Sequence, residues 1–173
     1  MKASFLLLSL FICVSEAANA QRVIGPEDLI NEYARRLKKS PRDKSLLLKL
    51  GSLHSEKNQY KLAHKYLSKA YEFSKNDVPV LFELAYVKQR LGKIKEAKTL
   101  YNKILKLKPH SENALFNLGV VNLKSDKKVA KNYFKRVLKV DPSHPSANFS
   151  MGELSKMLLK LCIKHWENLL RTQ

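Results

Sequence analysis

The side chains that could do chemistry in this chain are few, and their spacing matches no established catalytic or metal-binding arrangement. Histidine and cysteine ligate zinc, but a zinc site needs three or four convergent ligands. Cys162-x2-His165 places two such groups on one helical face, and the sequence offers them no further ligand. HExxH, glycine-rich phosphate-binding and Gly-x-Ser-x-Gly motifs do not occur in the sequence. The five histidines are His54, His64, His110, His144 and His165.

Three acidic residues near the start of the chain could form the paired carboxylates that general acid–base catalysis uses. These residues, Glu27, Asp28 and Glu32, follow Gly25-Pro26, which is a typical helix start. Negative charge is favoured at a helix N-terminus, so the group has a structural explanation. We therefore expect no catalytic residue, no metal and no cofactor, and we predict that the protein is not an enzyme.

The first 20 residues have the layout of a secretory signal peptide. Lys2 precedes an apolar run over residues 3–14, and small residues lead to a cleavage point after Ala20. The run is too short to span a bilayer, which needs roughly twenty residues. A lipoprotein signal with Cys13 as the acylated residue is the alternative, although Ile12 before it is not small. We predict export to the periplasm or the cell exterior.

The composition is that of a basic, helical, globular protein. The chain has 173 residues with 33 Lys or Arg against 15 Asp or Glu, a formal net charge of +18. Leu, Lys and Ala are abundant, and these are strong helix formers. Two cysteines cannot supply a disulfide framework, so stability must come from packing. A charge of this size favours an anionic partner.

A period of about 34 residues organises the chain after the signal segment, and such a period decides the fold. One series of small residues is Gly51, Ala85, Gly119 and Gly152, and a second is Ala63, Ala97 and Ala130. A third series is Pro41, Pro109 and Pro142. Apolar residues step at three and four within each period, which predicts two amphipathic helices per repeat.

This pattern resembles the tetratricopeptide repeat, W-x2-L-G-x2-Y followed by A-x3-F and P. The third copy is one residue shorter at its internal turn, and Leu replaces the opening Trp in all three. The copies are Leu47-x2-Leu50-Gly51 with Ala63-x3-Leu67, Leu81-x2-Leu84-Ala85 with Ala97-x3-Tyr101, and Leu115-x2-Leu118-Gly119 with Ala130-x3-Phe134.

The resemblance implies an all-α fold, a right-handed superhelix (solenoid) of antiparallel helix pairs. The expected organisation is a signal peptide (1–20), an N-terminal capping helix (21–43), three repeats (44–77, 78–111 and 112–144), and a partial repeat with a C-terminal capping helix (145–173). The capping helix is expected over Pro26–Lys39. The last segment is either a helix pair, with Lys160–Arg171 as its second member, or one long helix. Its apolar stretch around Met157–Ile163 either packs on the third repeat or forms a self-association surface.

In tetratricopeptide proteins the first helices of the repeats line a concave groove, and the resemblance therefore assigns a candidate peptide-binding groove here. Aromatic and apolar side chains four residues apart share a helical face and would form a strip along it. Packing against neighbouring helices is the alternative role for these aromatic residues. The groove residues are Leu48, Phe82, Glu83, Tyr86, Gln89, Asn113, Phe116, Asn117, Val120 and Phe149.

The second helices carry most of the charge. They hold 16 basic and 3 acidic residues over ranges 59–75, 92–108 and 127–141, whereas the first helices hold 6 and 4. The convex back implied by the family is therefore lysine-rich. Its proposed members are Lys61, Lys65, Lys69, Lys95, Lys98, Lys131, Lys135 and Lys139.

Two kinds of binding follow as hypotheses. The first is an exported, non-enzymatic scaffold that binds a peptide or helix of a partner protein in the groove. The second is a peripheral binder of anionic membrane or envelope polymer through the lysine-rich face. The alternative role of that face is to keep the protein soluble. Nucleic acid is an unlikely partner, because aromatics are not interleaved with the basic residues and Arg is rare. Homo-oligomerisation through the C-terminal helix is a further possibility.

Overall fold

The computed structural model describes residues 25–171, without the side chains of His165, Trp166, Leu169 and Leu170. The predicted signal peptide, residues 1–20, lies outside the described residues. Within the described range the chain forms eight helices and no strand, which confirms the all-α prediction. The helices are α1 (Pro26–Lys39), α2 (Lys44–Glu56), α3 (Tyr60–Phe73), α4 (Val78–Arg90), α5 (Ile94–Leu107), α6 (Glu112–Asn122), α7 (Lys127–Val140) and α8 (Pro145–Arg171).

Aspartate side chains start three of these helices. The carboxylate of Asp43 accepts a hydrogen bond from the backbone N–H of Leu46, and Asp77 and Asp126 do the same for α4 and α7. Each cap satisfies an amide that the helix itself leaves unpaired and contributes about 1 kcal/mol. Asp77 also accepts from the Lys44 ammonium at 2.5 Å, so one carboxylate joins the first turns of α2 and α4.

Each repeat is a helix pair that closes where a small residue meets a large one. A Cβ built on Gly51 would lie 2.4 Å from the Leu67 side chain, and one on Gly119 would lie 2.4 Å from the Phe134 ring. Ala85 and Tyr101, both fully buried, occupy the matching positions of the second repeat. Because there is almost no space between these positions, only a very small side chain fits on the first helix.

The pairs stack into a solenoid whose central buried cluster joins all three repeats, with a smaller cluster on either side of it. The second helix of each pair packs on the first helix of the next, so α3 contacts α4, α5 contacts α6, and α7 contacts α8. The first helices α2 and α4 also contact each other directly. This places the first helices on the inner side of the stack. Core residues of successive repeats, such as Leu67, Leu84 and Leu118, belong to one buried cluster.

The turns inside the pairs explain the different repeat lengths. Gly92 ends the turn after α4 with φ +77°, a left-handed conformation that glycine adopts without steric cost. Asn58 takes the same role after α2 with φ +58°, a conformation that asparagine tolerates better than most residues. The third turn has no such residue, and α6 ends at Asn122 after only 11 residues.

The last segment is one continuous helix rather than a helix pair. Helix α8 runs 27 residues, from Pro145 to Arg171. Ala147 and Leu154 are buried against the third repeat, whereas a Cβ on Gly152 would meet no atom within 4 Å. Counting on from Gly152 as in the other repeats, Lys164 stands at the small position and Asn168 at the large one. A second helix with these residues could not pack closely against Gly152.

None of the described helices is long and apolar enough to cross a membrane.

We predict opposite effects of the same substitution at two helical glycines. Gly119→Ala forces the Phe134 ring to move within a full core and should lower the free energy of unfolding by about 1–3 kcal/mol. Gly152→Ala fills open space and removes backbone freedom, so it should raise that free energy by about 0.5–1 kcal/mol. Urea unfolding followed by circular dichroism measures both. Equal effects at the two sites would show that the helix pairs do not depend on the close contact.

Candidate functional site

A cavity of about 350 Å³ opens on the inner side of the solenoid, where the first helices lie side by side. Four predicted groove residues line it, namely Phe82, Glu83, Tyr86 and Asn117. Its remaining wall consists of Ser52, Ser55, Glu56 and Asn58, from the end of α2 and the turn after it. The structure therefore brings part of the predicted groove together with a polar wall from the first repeat.

Glu83 is the chemically unusual residue of this cavity. Burial raises the pKa of its carboxyl above the ordinary value, and the nearby Glu56 carboxylate raises it further. A hydrogen bond from Ser52 acts in the opposite direction by stabilising the charged form. A partly desolvated carboxylate beside a second carboxylate is electrostatically unfavourable. A cation bound between the two would reduce their repulsion.

The cavity carries negative charge in a strongly basic protein. Two carboxylates and no Lys or Arg are among its lining residues, although the chain has a net charge of +18. The lysine next to Glu56 in sequence, Lys57, forms an ion pair with Glu27 of α1. Its charge is therefore engaged outside the cavity, which leaves Glu56 and Glu83 without a basic neighbour among the lining residues.

The two aromatic residues of the cavity are held by the core but are not covered by it. Phe82 is half-buried, with its ring centroid 6.0 Å from that of Tyr101. Tyr101 is fully buried, donates to Gln89 Oε1 at 3.1 Å, and its pKa is raised by burial. Tyr86 is half-buried one turn after Phe82. These rings offer a fixed apolar surface beside the carboxylates.

The other predicted groove residues lie outside the cavity. Phe116 stacks on His144 at 5.4 Å and packs against Phe134 at 5.7 Å, so its ring joins α6 to α7 and to the turn before α8. Gln89 accepts the hydrogen bond from Tyr101, and Asn113 accepts one from the Asn117 side chain through its backbone carbonyl. Of the remainder, Leu48 and Val120 are half-buried, whereas Phe149 is 71% exposed on α8.

The lysine-rich surface of the second helices is mostly open, with two half-buried exceptions. Lys98 is half-buried and donates to Asn122 Oδ1 of α6, so it joins two repeats instead of facing solvent. Lys131 is half-buried. Six predicted members are exposed, and within residues 25–171 none of them forms an ion pair: Lys61, Lys65, Lys69, Lys95, Lys135 and Lys139.

Three of the histidines, His54, His64 and His144, have packing surroundings. His54 stacks on Tyr66 and hydrogen-bonds Gln59, and His144 Nδ1 accepts from the backbone N–H of Ala147. Burial lowers the pKa of His64, whose Nε2 is enclosed without a hydrogen-bond partner. Among the described residues no three His, Cys, Asp or Glu side chains converge. Cys162 is exposed, and the side chain of His165 lies outside the described part.

The sequence-based prediction missed Glu56, Ser55 and Asn58. Glu56 lies eight residues after Leu48 and four after Ser52, so the same four-residue step that links Phe82 to Tyr86 would have reached it. Ser55 lies at the end of α2 and Asn58 in the turn after it, and the path of this segment across the next repeat depends on tertiary packing. The pairing of Glu56 with Glu83 joins two repeats and has no signal within either one.

Several solved structures share this architecture. YrrB, described as a TPR protein with an unusual peptide-binding site, is 21% identical with a TM-score of 0.68, over 72% of this chain and 65% of that one. MamA is 20% identical with a TM-score of 0.70, over 84% and 88%. The first TPR of Spaghetti (RPAP3), solved with the HSP90 peptide SRMEEVD, is 20% identical with a TM-score of 0.62, over 67% and 93%. At this identity the likeness establishes the fold.

Comparison with curated proteins gives no match. Family models described as tetratricopeptide repeat match residues 45–77, 78–111 and 113–144, which together make up more than half of the chain. Each matched segment contains one of the small-to-large helix contacts described above. The chain belongs to the tetratricopeptide repeat family.

Proposed function

We propose that the protein is a non-enzymatic interaction scaffold that holds a peptide or helix of a partner protein in its concave groove. The single observation that carries this proposal is the cavity in which two carboxylates and two aromatic rings meet on the inner surface. Repeats of this family are generally interaction modules without catalysis. The cavity has the mixed apolar and polar lining that recognises a side chain of a ligand.

The ligands of two structural relatives support a peptide as the occupant. YrrB is described as having a peptide-binding site, and the RPAP3 repeat was solved with the peptide SRMEEVD. That peptide ends with three acidic residues among its last four. In the present chain the cavity is itself acidic, so a ligand of that charge would be repelled. The partner segment here should differ in charge from that peptide.

The chemistry of the cavity predicts a basic side chain in the partner. An arginine or lysine placed between Glu83 and Glu56 would pair with the half-buried Glu83, where such a pair is stronger than at the surface, and also with the exposed Glu56. An arginine would also stack on the ring of Phe82 or Tyr86. Apolar residues next to the cation would cover the rest of these rings. The proposed motif is therefore one Arg or Lys flanked by apolar residues.

A second candidate function rests on the six exposed, unpaired lysines of the second helices. We infer that this surface could hold an anionic membrane or an anionic envelope polymer. Such binding differs from groove binding in its dependence on salt, because exposed charges are screened strongly above 0.1 M ionic strength. Binding through the lysine-rich surface would also be unaffected by substitutions in the cavity.

We predict that selection from a random peptide library will enrich sequences with Arg or Lys beside apolar residues. The double variant Glu56→Gln/Glu83→Gln should weaken binding of an enriched peptide by about tenfold or more, because the cation loses its partners. Phe82→Ala should weaken it by a similar factor through lost ring contact. Isothermal titration calorimetry with the synthetic peptide measures these changes.

The matched control is Glu72→Gln, which removes an exposed carboxylate from α3. This variant should bind the peptide like the wild type. Enrichment of acidic sequences would contradict the proposed groove chemistry. Binding that is lost at high salt but unchanged in Phe82→Ala would assign recognition to the lysine-rich surface instead.

We predict that peptide binding weakens as the pH falls through the raised pKa of Glu83. Only the ionised carboxylate attracts the cation, and a raised pKa means that protonation begins at a higher pH than for an ordinary glutamate. The groups around it are the Glu56 carboxylate and the phenols of Tyr86 and Tyr101. Calorimetry between pH 7 and pH 4 should show a loss of affinity that is much smaller in Glu83→Gln. An equal loss in that variant would exclude Glu83 as its source.

We propose that the protein acts outside the cytoplasm after removal of residues 1–20. The support is the charged start, the apolar run over residues 3–14 and the small residues before Ala20. When the complete chain is expressed, intact mass and N-terminal sequencing of the envelope or extracellular fraction should show a protein beginning at Gln21. Ala20→Lys should leave the precursor uncleaved. An unprocessed wild-type chain in the cytoplasm would contradict export, and it would leave the groove proposal intact.

A further inference from the structure

The C-terminal part of α8 leaves the solenoid and carries a dense group of exposed apolar side chains. Helix α8 makes its buried contacts through Ala147 and Leu154, near its start. Past that point the large apolar residues are uncovered. Leu158 is 36% exposed, Leu159 62%, Leu161 50% and Ile163 49%. Of the ten exposed large hydrophobic residues among the described side chains, these four lie within six positions of one another.

The basic side chains of the same segment lie together on the opposite side. Lys156, Lys160 and Lys164 follow one another at intervals of four, so they share one helical face. Arg171 comes seven residues after Lys164 and continues that face. Glu167, the one acidic residue in range 155–171, lies on the same face seven residues after Lys160, so this face carries four basic residues and one carboxylate. The apolar residues occupy roughly half of the helix circumference, with the basic face as a narrow sector.

We propose that range 157–171 of α8 is an interfacial helix that docks the protein on an anionic lipid bilayer. The apolar half of the helix inserts at the boundary between headgroups and acyl chains, and Lys160 and Lys164 reach the phosphate groups. Lysines at every fourth position prevent the segment from crossing the bilayer, in agreement with the lack of a spanning helix among the described residues. The helix lies on the membrane, and the solenoid with its groove faces the aqueous side.

The width of the apolar face and the charge favour a lipid surface over a second copy of the chain. A partner helix covers a narrow stripe, typically two residues of every seven, whereas a bilayer covers half of the helix. A second copy would bring another chain of net charge +18 and another row of lysines against the first. An anionic bilayer instead offers complementary charge, and each basic residue near it contributes to binding.

The test uses the complete chain and the chain beginning at Gln21, which retains every described helix and lacks the apolar run of residues 3–14. Vesicles of phosphatidylcholine alone are compared with vesicles containing 30% phosphatidylglycerol. Trp166 is the only tryptophan of the chain and lies within α8, so its emission reports on this helix. We expect the chain from Gln21 to cosediment with the anionic vesicles and its emission to move to shorter wavelength.

Two variants decide whether α8 is responsible. Leu159→Ser/Ile163→Ser should reduce partitioning into anionic vesicles about tenfold or more, since two inserted side chains are lost. Lys160→Glu/Lys164→Glu should abolish the preference for anionic vesicles. The control Leu62→Ser/Phe73→Ser removes two exposed apolar residues from α3, which are 44% and 45% exposed, and should bind like the wild type. Circular dichroism verifies that each variant is folded.

Three results would overturn the proposal. The first is equal binding of wild type and Leu159→Ser/Ile163→Ser to anionic vesicles. The second is loss of vesicle binding in Lys61→Gln/Lys65→Gln/Lys69→Gln with no loss in the α8 variants, which would assign binding to the second helices. The third is a dimer in analytical ultracentrifugation that dissociates in Leu159→Ser/Ile163→Ser, together with no binding to either vesicle. That result would make a second copy the occupant of this face.

Discussion

The contact of a small residue on each first helix with a large residue on the following helix is the constraint on which the rest of the structure depends. Gly51 meets Leu67, Gly119 meets Phe134, and a Cβ at either glycine would overlap the opposing side chain. This contact sets the distance between the two helix axes of a pair. Because the contact recurs with the repeat of about 34 residues, the distance is similar in every pair. Pairs of equal shape stack with a constant step, which produces an inner surface made of first helices.

The inner surface gains its chemistry from the regular step between repeats. Because α2 and α4 contact each other directly, residues near the end of α2 lie beside the middle of α4. Glu56 and Glu83 become neighbours in this way although 27 positions separate them in sequence. The same stacking engages Lys57 with Glu27 of the preceding helix, so no lysine beside Glu56 offsets the acidic pair. A basic protein can thus hold an acidic cavity, because its lysines project from the second helices.

Much of the fold was predictable from the sequence, and much less of the site. The limits of α1 and the single-residue differences between repeats follow from local signals such as Gly25-Pro26 and Gly92. The aromatic pair Phe82 and Tyr86 was assigned to the groove from the resemblance to the tetratricopeptide repeat together with its four-residue spacing. Phe116 follows the same spacing, yet its ring packs against Phe134 and His144. Whether such a ring faces the groove or the neighbouring repeat depends on contacts between repeats, which periodicity within one repeat does not contain.

Helix α8 shows what happens when the repeated contact ends. Gly152 keeps the small position, but Lys164 and Asn168 stand where a closing helix needs a small and a large residue. A helix pair would bury the Lys164 ammonium in this position, which costs more than the packing returns. The segment therefore continues as one helix, and its apolar residues have no intramolecular surface to cover them. A solenoid normally ends in a polar cap, so an apolar end with a basic edge is better explained by a surface outside the chain. The failure of the last repeat to close therefore leaves uncovered the apolar residues on which the proposed membrane contact depends.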